Sequence, residues 1–121
     1  MSAITKFAES GYHNNFMHSP RDSEYNAFSY VTRLLRAAQG DQPDAALIYA
    51  VYQNDELWTT LAADLADKNN LLPDDVRAGL ITLSIFSLKH GRKVVQGAAE
   101  ISDLIEINLS VMKGLRGEAE Q

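Results

Sequence analysis

Apolar and polar residues recur along most of this chain with the spacing of α-helices. The first helical segment starts at Pro20, a residue favoured in a first helical turn, and stops before Gly40, which predicts a helix over about residues 20–39. No segment shows the strict alternation of a β-strand, and no internal repeat is present. The pattern therefore predicts an all-α fold.

A second helical segment opens at Asp41 and Pro43 and contains Trp58, the only tryptophan. Asn54 lies inside this segment, and Asn is favoured at helix N-caps because its side-chain oxygen accepts from the free amides of the first turn. Asp55 follows it, where a negative charge suits the helix dipole. We therefore expect a break or kink before Asn54, where the tryptophan helix begins.

Two more helices are predicted in the second half of the chain. One starts at Pro73 and ends near Gly97, and between residues 80 and 88 its apolar side chains surround almost the whole helix. Such a helix is either central in a bundle or covered on its second side by a partner. The other covers about residues 101–115, where apolar residues follow a seven-residue repeat. The sequence thus predicts a small helical bundle of about four to five helices.

Both ends of the chain lack this helical spacing. Residues 1–18 are rich in polar residues with isolated aromatic residues, and we interpret them as a mobile N-terminal arm, part of which packs on the domain or folds onto a partner. Residues 19–117 form the predicted helical domain, and residues 118–121 form a polar tail. A chain of 121 residues suits one domain and can bury a core without metal or disulfide staples.

Composition narrows the classes of function. The chain has no cysteine, which excludes disulfides, thiolate zinc sites and a cysteine nucleophile. A formal net charge of −5 argues against a general nucleic-acid binder. No apolar run reaches the roughly 18–20 residues of a membrane span, and the N-terminus lacks the apolar core of a secretory signal. We therefore expect a cytoplasmic protein with no membrane partner.

The sequence contains no recognisable set of catalytic or metal-binding residues. The histidines at 13, 18 and 90 have no metal-ligand spacing, and no phosphate-binding or nucleophile motif is present. The Asp74-Asp75 pair has no acid–base partner, and negative charge at a helix N-terminus explains it better than a paired-carboxylate site. We predict no metal, no cofactor, no small-molecule substrate and no enzymatic activity.

Two residues within apolar stripes each have two interpretations. Trp58 is either a buried core residue or an anchor at the rim of a partner groove, because tryptophan is enriched in both settings. Asn108 is either a buried amide bonded within the bundle or a register-setting contact in a helix–helix complex. The sequence leaves both questions open.

The one concentration of basic residues lies at 89–93. Lys89, Arg92 and Lys93 form either an RNA-contacting patch or a solvated helix end whose positive charge suits the dipole. Arg33 and Arg36 would extend the patch if their helix were a neighbour. No aromatic residue is interleaved to stack on bases, so direct RNA binding is the less favoured alternative.

Three segments, in order and spacing, resemble the FlaF family of flagellar biosynthesis regulators. They are residues 20–25 leading into 31–35, the Leu-Trp-Thr-Thr-Leu-Ala-Ala-Asp run at 57–64, and residues 104–108 continuing through 111–117. The similarity covers most of residues 19–117. One departure is the run Val-Thr-Arg-Leu-Leu-Arg at 31–36, where the family pattern leads us to expect an Arg-Arg pair before Leu.

The resemblance implies a small, non-enzymatic cytoplasmic protein needed for flagellin production and filament assembly. Family members are associated with flagellin secretion and with translational control of flagellin, opposite a partner regulator called FlbT. No catalytic residues come with the family. Flagellin is therefore the expected partner, and FlbT is a candidate second partner.

Helical patterning and resemblance together suggest a flagellin chaperone that packs a flagellin helix into an apolar groove. We place that groove between the tryptophan helix, the Pro73 helix and the last helix, with these candidate residues: Trp58, Leu61, Leu65, Ile105, Asn108 and Met112. One alternative is a post-transcriptional regulator of flagellin translation that acts with FlbT or on flagellin mRNA through Lys89, Arg92 and Lys93. Another is a structural protein that self-associates through the heptads of the last helix.

Overall fold

Four α-helices make up the structure, a computed structural model that describes residues 20–40 and 44–115, with side chains from residue 23 onward. They are α1 (Pro20–Ala37), α2 (Ala45–Ala66), α3 (Asp74–Val95) and α4 (Ile101–Leu115). No strand occurs in those two ranges, so the prediction of an all-α bundle is confirmed. The predicted arm at 1–18 and the tail at 118–121 lie outside the described residues.

The region around Asn54 is one continuous helix, and the predicted break before this residue is wrong. Helix α2 is instead capped by Asp44, whose side-chain oxygen accepts from the backbone N–H of Leu47 at 2.9 Å. Asn54 is fully buried inside the helix. The apolar stripe keeps one 3.6-residue repeat from Leu47 to Leu65, and packing of that stripe outweighs the local capping preference of Asn54.

Helices α3 and α4 match their predicted limits. Asp74 and Asp75 occupy the first turn of α3, and Gly97 has a φ of 77°, the left-handed conformation that commonly ends a helix. Helix α3 runs through Gly91, where a missing side chain lets α2 approach. A Cβ added there would lie 3.0 Å from Asp55 Oδ1 and 3.1 Å from Val51 Cγ1.

The helices form a four-cornered bundle. Helix α1 packs against α2 and α4, and α3 packs against the same two helices from the opposite corner. Chain neighbours run antiparallel: Asn54 in the middle of α2 bonds Ser87, and Leu65 near its end bonds Arg77 near the start of α3. Among neighbouring pairs, α3 and α4 pack least extensively. This pair leaves the opening described below.

Trp58 lies at the centre of the core with no solvent exposure. Its ring meets Phe28 of α1 edge to face, with centroids 5.5 Å apart and planes at 81°. Leu35, Leu57 and Leu104 are equally buried around it. A core with these large side chains from three helices accounts for folding without metal or disulfide, because apolar burial is the main favourable term.

Helix α3 contributes little bulk to that core. Its buried residues are Ser84, Ser87, Gly91 and Val94, whereas the adjacent residues Ile85 and Phe86 are 51% and 47% exposed. The all-round apolar character predicted for this helix is therefore explained by a corner helix with a second side that no element of the described bundle covers. None of the described helices is long and apolar enough to cross a membrane.

Candidate partner-binding groove

A chain of buried polar side chains ties three helices together. The Trp58 indole N–H donates to Asn108 Oδ1 at 2.9 Å, and Asn108 Nδ2 donates to Asn54 Oδ1 at 2.8 Å. Asn54 Nδ2 in turn donates to Ser87 Oγ at 3.2 Å. All four residues are at most 1% exposed, so each bond satisfies a group that has no water. Asn108 is therefore a buried amide bonded within the bundle.

The six residues proposed as an open partner groove are instead in the core. Trp58, Leu61, Leu65, Ile105, Asn108 and Met112 are all between 0% and 8% exposed. These side chains are buried because the apolar stripes of α2 and α4 face each other and α1 across the bundle. Only Leu61 reaches the wall of an open cavity, while Met112 lines a separate depression beside Tyr25. Binding itself stays a prediction.

Most of the α4 residues proposed for self-association through heptads are also buried in the core. The seam residues Ile101, Leu104, Ile105 and Met112 are buried against the rest of the bundle. The seven-residue repeat is thus used within the chain, as in helices of other four-helix bundles. Two further seam residues, Val111 and Leu115, are half-buried and line the open surface described next, so self-association through α4 stays a prediction.

An open apolar surface lies between α3 and α4. At one end is a cavity of about 700 Å³, where Phe28 and Leu61 lie beside residues of both helices. A smaller depression of about 310 Å³ continues it toward Phe86, and Leu83 and Ser110 line both. We call this continuous surface the α3–α4 groove. Its apolar residues on the two helices are Val76, Leu80, Leu83, Phe86, Ile107, Val111 and Leu115.

These groove residues were missed as site residues from sequence, although two signals point to them. Leu80, Leu83 and Phe86 belong to the stretch of α3 that is apolar all round. Ile107 lies off the heptad seam of α4, where an apolar residue widens the apolar surface. Leu80, Leu83 and Ile107 are half-buried and pack partly on the core, whereas Phe86 is exposed, so all four keep solvent-accessible apolar area.

Carboxylates border the groove. Glu24 and Asp64 lie at the cavity end, and Asp103 and Glu106 lie at the Phe86 end. No lysine, arginine or histidine is among the described residues that line either part. The groove therefore combines an apolar floor with an acidic edge.

At the Phe86 end, His90 fixes the junction of α3 and α4. Its Nε2 lies 3.0 Å from Asp103 Oδ2 and 3.1 Å from the carbonyl oxygen of Glu100. The Phe86 ring stacks on the imidazole with centroids 5.1 Å apart and planes at 19°. These contacts hold Phe86 at the mouth of the groove and account for His90 as a structural residue.

The basic cluster lies away from the groove lining. Lys89, Arg92 and Lys93 are exposed near the C-terminal end of α3, where positive charge complements the helix dipole. Helices α1 and α3 occupy opposite corners and do not pack substantially against each other. Arg33 and Arg36 on α1 therefore do not extend the cluster as neighbours of α3.

Among the described residues, Asp55 has a clearly shifted pKa. Burial raises the pKa of Asp55 to about 6, Glu56 adds to the shift, and the positive charge of Arg92 opposes it. Its Oδ1 is buried next to Gly91 and has no hydrogen-bond partner. The residue is a strained point of the α2–α3 contact, and no acid–base partner stands beside it to make it a catalytic site.

No group of three or more His, Cys, Asp or Glu side chains suited to a metal ion occurs in the part of the chain that the structure describes. Asp74 and Asp75 are exposed in the first turn of α3, as their helix-terminus interpretation expects. His13 and His18 lie outside the described residues.

The fold and the groove define a small all-α bundle that leaves one side between two helices uncovered. A family model described as flagellar protein FlaF matches residues 8–115 of the 121 in the chain. The chain therefore belongs to the FlaF family, which confirms the resemblance seen in the sequence and gives it a flagellum-related role. No curated protein and no solved structure matches the chain.

Proposed function

We propose that this FlaF-family protein is a non-enzymatic cytoplasmic factor that binds flagellin and supports its secretion and filament assembly. The observation that carries the proposal is the α3–α4 groove, an apolar surface between two helices that the bundle itself leaves uncovered. Apolar surface of this kind costs free energy in water and commonly marks a protein interaction site. The flagellar family supplies the expected partner.

Helix packing explains how such a groove would act on flagellin. Flagellin subunits end in long amphipathic helices that remain unpaired before polymerisation. An amphipathic helix binds by laying its apolar face in a hydrophobic groove, with anchors at every third or fourth residue. The half-exposed side chains of Leu80, Leu83 and Val111 offer matching positions along α3 and α4. Occupancy would shield the flagellin helix from premature assembly.

A matched pair of substitutions tests the location. Phe86 and Ile85 are adjacent and similarly exposed, but only Phe86 lines the groove. We expect Phe86→Asp to weaken binding of flagellin monomer at least about tenfold in calorimetric titration, because a charge would be desolvated against apolar surface. Ile85→Asp introduces the same charge on the outer side of α3 and serves as the control.

Two results would contradict the proposal. The first is no detectable heat or complex with folded wild-type protein and monomeric flagellin. The second is equal weakening by Phe86→Asp and Ile85→Asp, which would place the contact elsewhere on α3. Circular dichroism of both variants checks that the helices remain folded.

The alternative function is post-transcriptional regulation of flagellin, with FlbT or on flagellin mRNA. The exposed side chains of Lys89, Arg92 and Lys93 favour it. If three phosphates were bound, affinity for single-stranded RNA would fall about eighteenfold between 50 and 200 mM salt through counterion release. Packing of a helix in an apolar groove has no such steep dependence. Titration at both salt concentrations, with flagellin and with its transcript, separates the two functions.

A further inference from the structure

We infer that the α3–α4 groove selects an amphipathic helix of about three turns whose apolar face is bordered by lysine or arginine side chains. This inference rests on the proposed function, because it specifies the chemistry of the helix that the groove accepts. It is carried by two observations, the length of the apolar floor and the charge of its edge.

The length follows from the residues at the two ends of the groove. On α3 the lining extends from Val76 to Phe86, and on α4 it extends from Asp103 to Leu115. At 1.5 Å per residue these spans are about 15 and 18 Å. A docked helix of about 10–12 residues would cover them, with three or four apolar anchors on one face.

The charge comes from carboxylates at both ends. Glu106 is exposed on α4 beside the Phe86 end, and Asp103 lies one turn before it. Glu24 and Asp64 border the cavity at the other end. A helix with acidic flanks would bring like charges together over a low-dielectric surface, whereas basic flanks would meet opposite charges at both ends.

Three described cations lie near the groove but do not line it. Arg77 Nε donates to the carbonyl oxygen of Leu65 at 2.6 Å, which ties α3 to the last turn of α2. His90 pairs with Asp103 of the edge and contacts the backbone of Glu100. Lys113 lines the separate depression that Tyr25 and Glu106 share on the α1 side of α4. The charge argument therefore rests on Asp64 at the cavity end and Glu106 at the Phe86 end, because no described lysine, arginine or histidine lines the groove beside them.

The apolar floor and the acidic edge have different roles. Apolar contact supplies the affinity for any amphipathic helix of the right length. The carboxylates discriminate among such helices and speed the encounter with a basic one, because exposed charge pairs contribute more to specificity and association rate than to affinity. Selection for a basic border would thus weaken moderately with salt while apolar binding persists.

The test uses two labelled helical peptides of 14 residues, about four turns, so that they exceed the roughly three turns of the groove. Both carry the same leucine face, one with lysine flanks and one with glutamate flanks, and fluorescence anisotropy reports binding to the full chain in 50 mM salt. We expect the lysine peptide to bind at least about tenfold more tightly, a difference of about 1.4 kcal/mol. Glu106→Lys should reduce that ratio severalfold.

A charge control is available on α2. Glu56 is exposed and lines no part of the groove, so Glu56→Lys changes the net charge equally and should leave the preference for the lysine peptide nearly intact. Equal affinity of the two peptides would overturn the inference. Equal effects of Glu56→Lys and Glu106→Lys would also overturn it, because they would show a general charge effect rather than selection at the groove.

Titration with flagellin in parallel distinguishes the two proposals. If flagellin binds at the groove but the peptides show no charge preference, the inference fails and the proposed function stands. If the lysine peptide binds with the expected preference but flagellin does not bind, the groove selects basic helices from another protein and the flagellin proposal fails. If neither flagellin nor either peptide binds, both proposals fail.

Discussion

The indole N–H of Trp58 donates to Asn108 Oδ1 across the bundle, at 2.9 Å and with both residues fully buried. This bond places a polar contact in the centre of the core, between α2 and α4. Because neither group reaches water, each depends on the other for its hydrogen bond. The pair therefore constrains how the two helices are set along their axes.

Asn108→Ala tests how much the Trp58–Asn108 hydrogen bond contributes to the free energy of unfolding. The substitution leaves the Trp58 indole and Asn54 Oδ1 without their partner and opens a cavity. We expect the free energy of unfolding to fall by about 2–4 kcal/mol in urea denaturation. Ser110→Ala, on the exposed side of the same helix, is the control and should change stability by less than about 0.5 kcal/mol. A loss below about 1 kcal/mol for Asn108→Ala would mean that water enters the network.

Asp55 gives the protein a predictable pH dependence. Since burial raises its folded-state pKa to about 6 from the ordinary value of 3.8, the folded state binds the proton more tightly than the unfolded state. The carboxylate therefore costs stability above pH 6, and that cost disappears as the pH falls from about 6 to about 4. Partial exposure limits the effect to about 1 kcal/mol.

Asp55→Asn isolates this contribution. We expect the variant to be more stable than the wild type at pH 7.5, and we expect the difference to shrink by pH 4.5, where the wild-type carboxyl group is protonated in the folded state. Chemical denaturation at several pH values measures it. A pH-independent difference between the two proteins would show that Asp55 titrates normally.

Two glycines of α3 should respond in opposite ways to alanine. Gly79 has nothing within 4 Å of an added Cβ, so Gly79→Ala should raise the free energy of unfolding by about 0.5–1 kcal/mol through helix propensity. An added Cβ at Gly91 would lie 3.0 Å from Asp55 Oδ1 and 3.1 Å from Val51 Cγ1. Overpacking there should offset the propensity gain and leave Gly91→Ala at least about 1 kcal/mol less stable than Gly79→Ala. Thermal unfolding measures the stability of both variants. Equal stabilities would show that an added Cβ at Gly91 is not closely packed against α2.

Core and groove substitutions should separate stability from binding. Leu65 is fully buried, so Leu65→Ala should cost about 2–5 kcal/mol of stability and reduce flagellin binding only through unfolding. Val111→Asp changes a half-buried groove residue and should weaken binding while the protein remains folded. Denaturation curves and flagellin titrations on the same samples provide the comparison. Stronger loss of binding in folded Leu65→Ala than in Val111→Asp would favour the core residues as the contact.

Helical spacing was sufficient to predict the fold class and most helix limits, because the apolar repeat is a local property. The role of Asn54 cannot be predicted from its sequence neighbours. Its partners Ser87 and Asn108 lie 33 and 54 residues away in sequence, and their approach depends on the packing of three helices. Without those partners in view, the capping preference of Asn54 predicts a helix start instead of a buried link.

The candidate site was predicted only in outline. The apolar stretch of α3 predicted a helix that is either central in the bundle or covered on its second side by a partner. The structure shows a corner helix whose second side is uncovered in the described bundle, and the sequence does not show which neighbouring helix covers which side. The stripes that carry Trp58 and Ile105 face the other helices and form the core. Ile107, which lies off the heptad seam, and Val111, which lies on it, remain half-buried between α3 and α4.

Helix α3 directs two serines into the core and Phe86 and Ile85 toward solvent, which reverses the usual placement of polar and apolar side chains. This placement affects which helix unfolds locally first. Helix α3 has the fewest fully buried side chains of the four helices as described, so we expect its backbone amides to exchange hydrogen earlier than those of α2. A helix bound along the α3–α4 groove would cover the outward side and slow that exchange. Occupancy of the groove would thus give most protection to the helix whose buried side chains are the smallest.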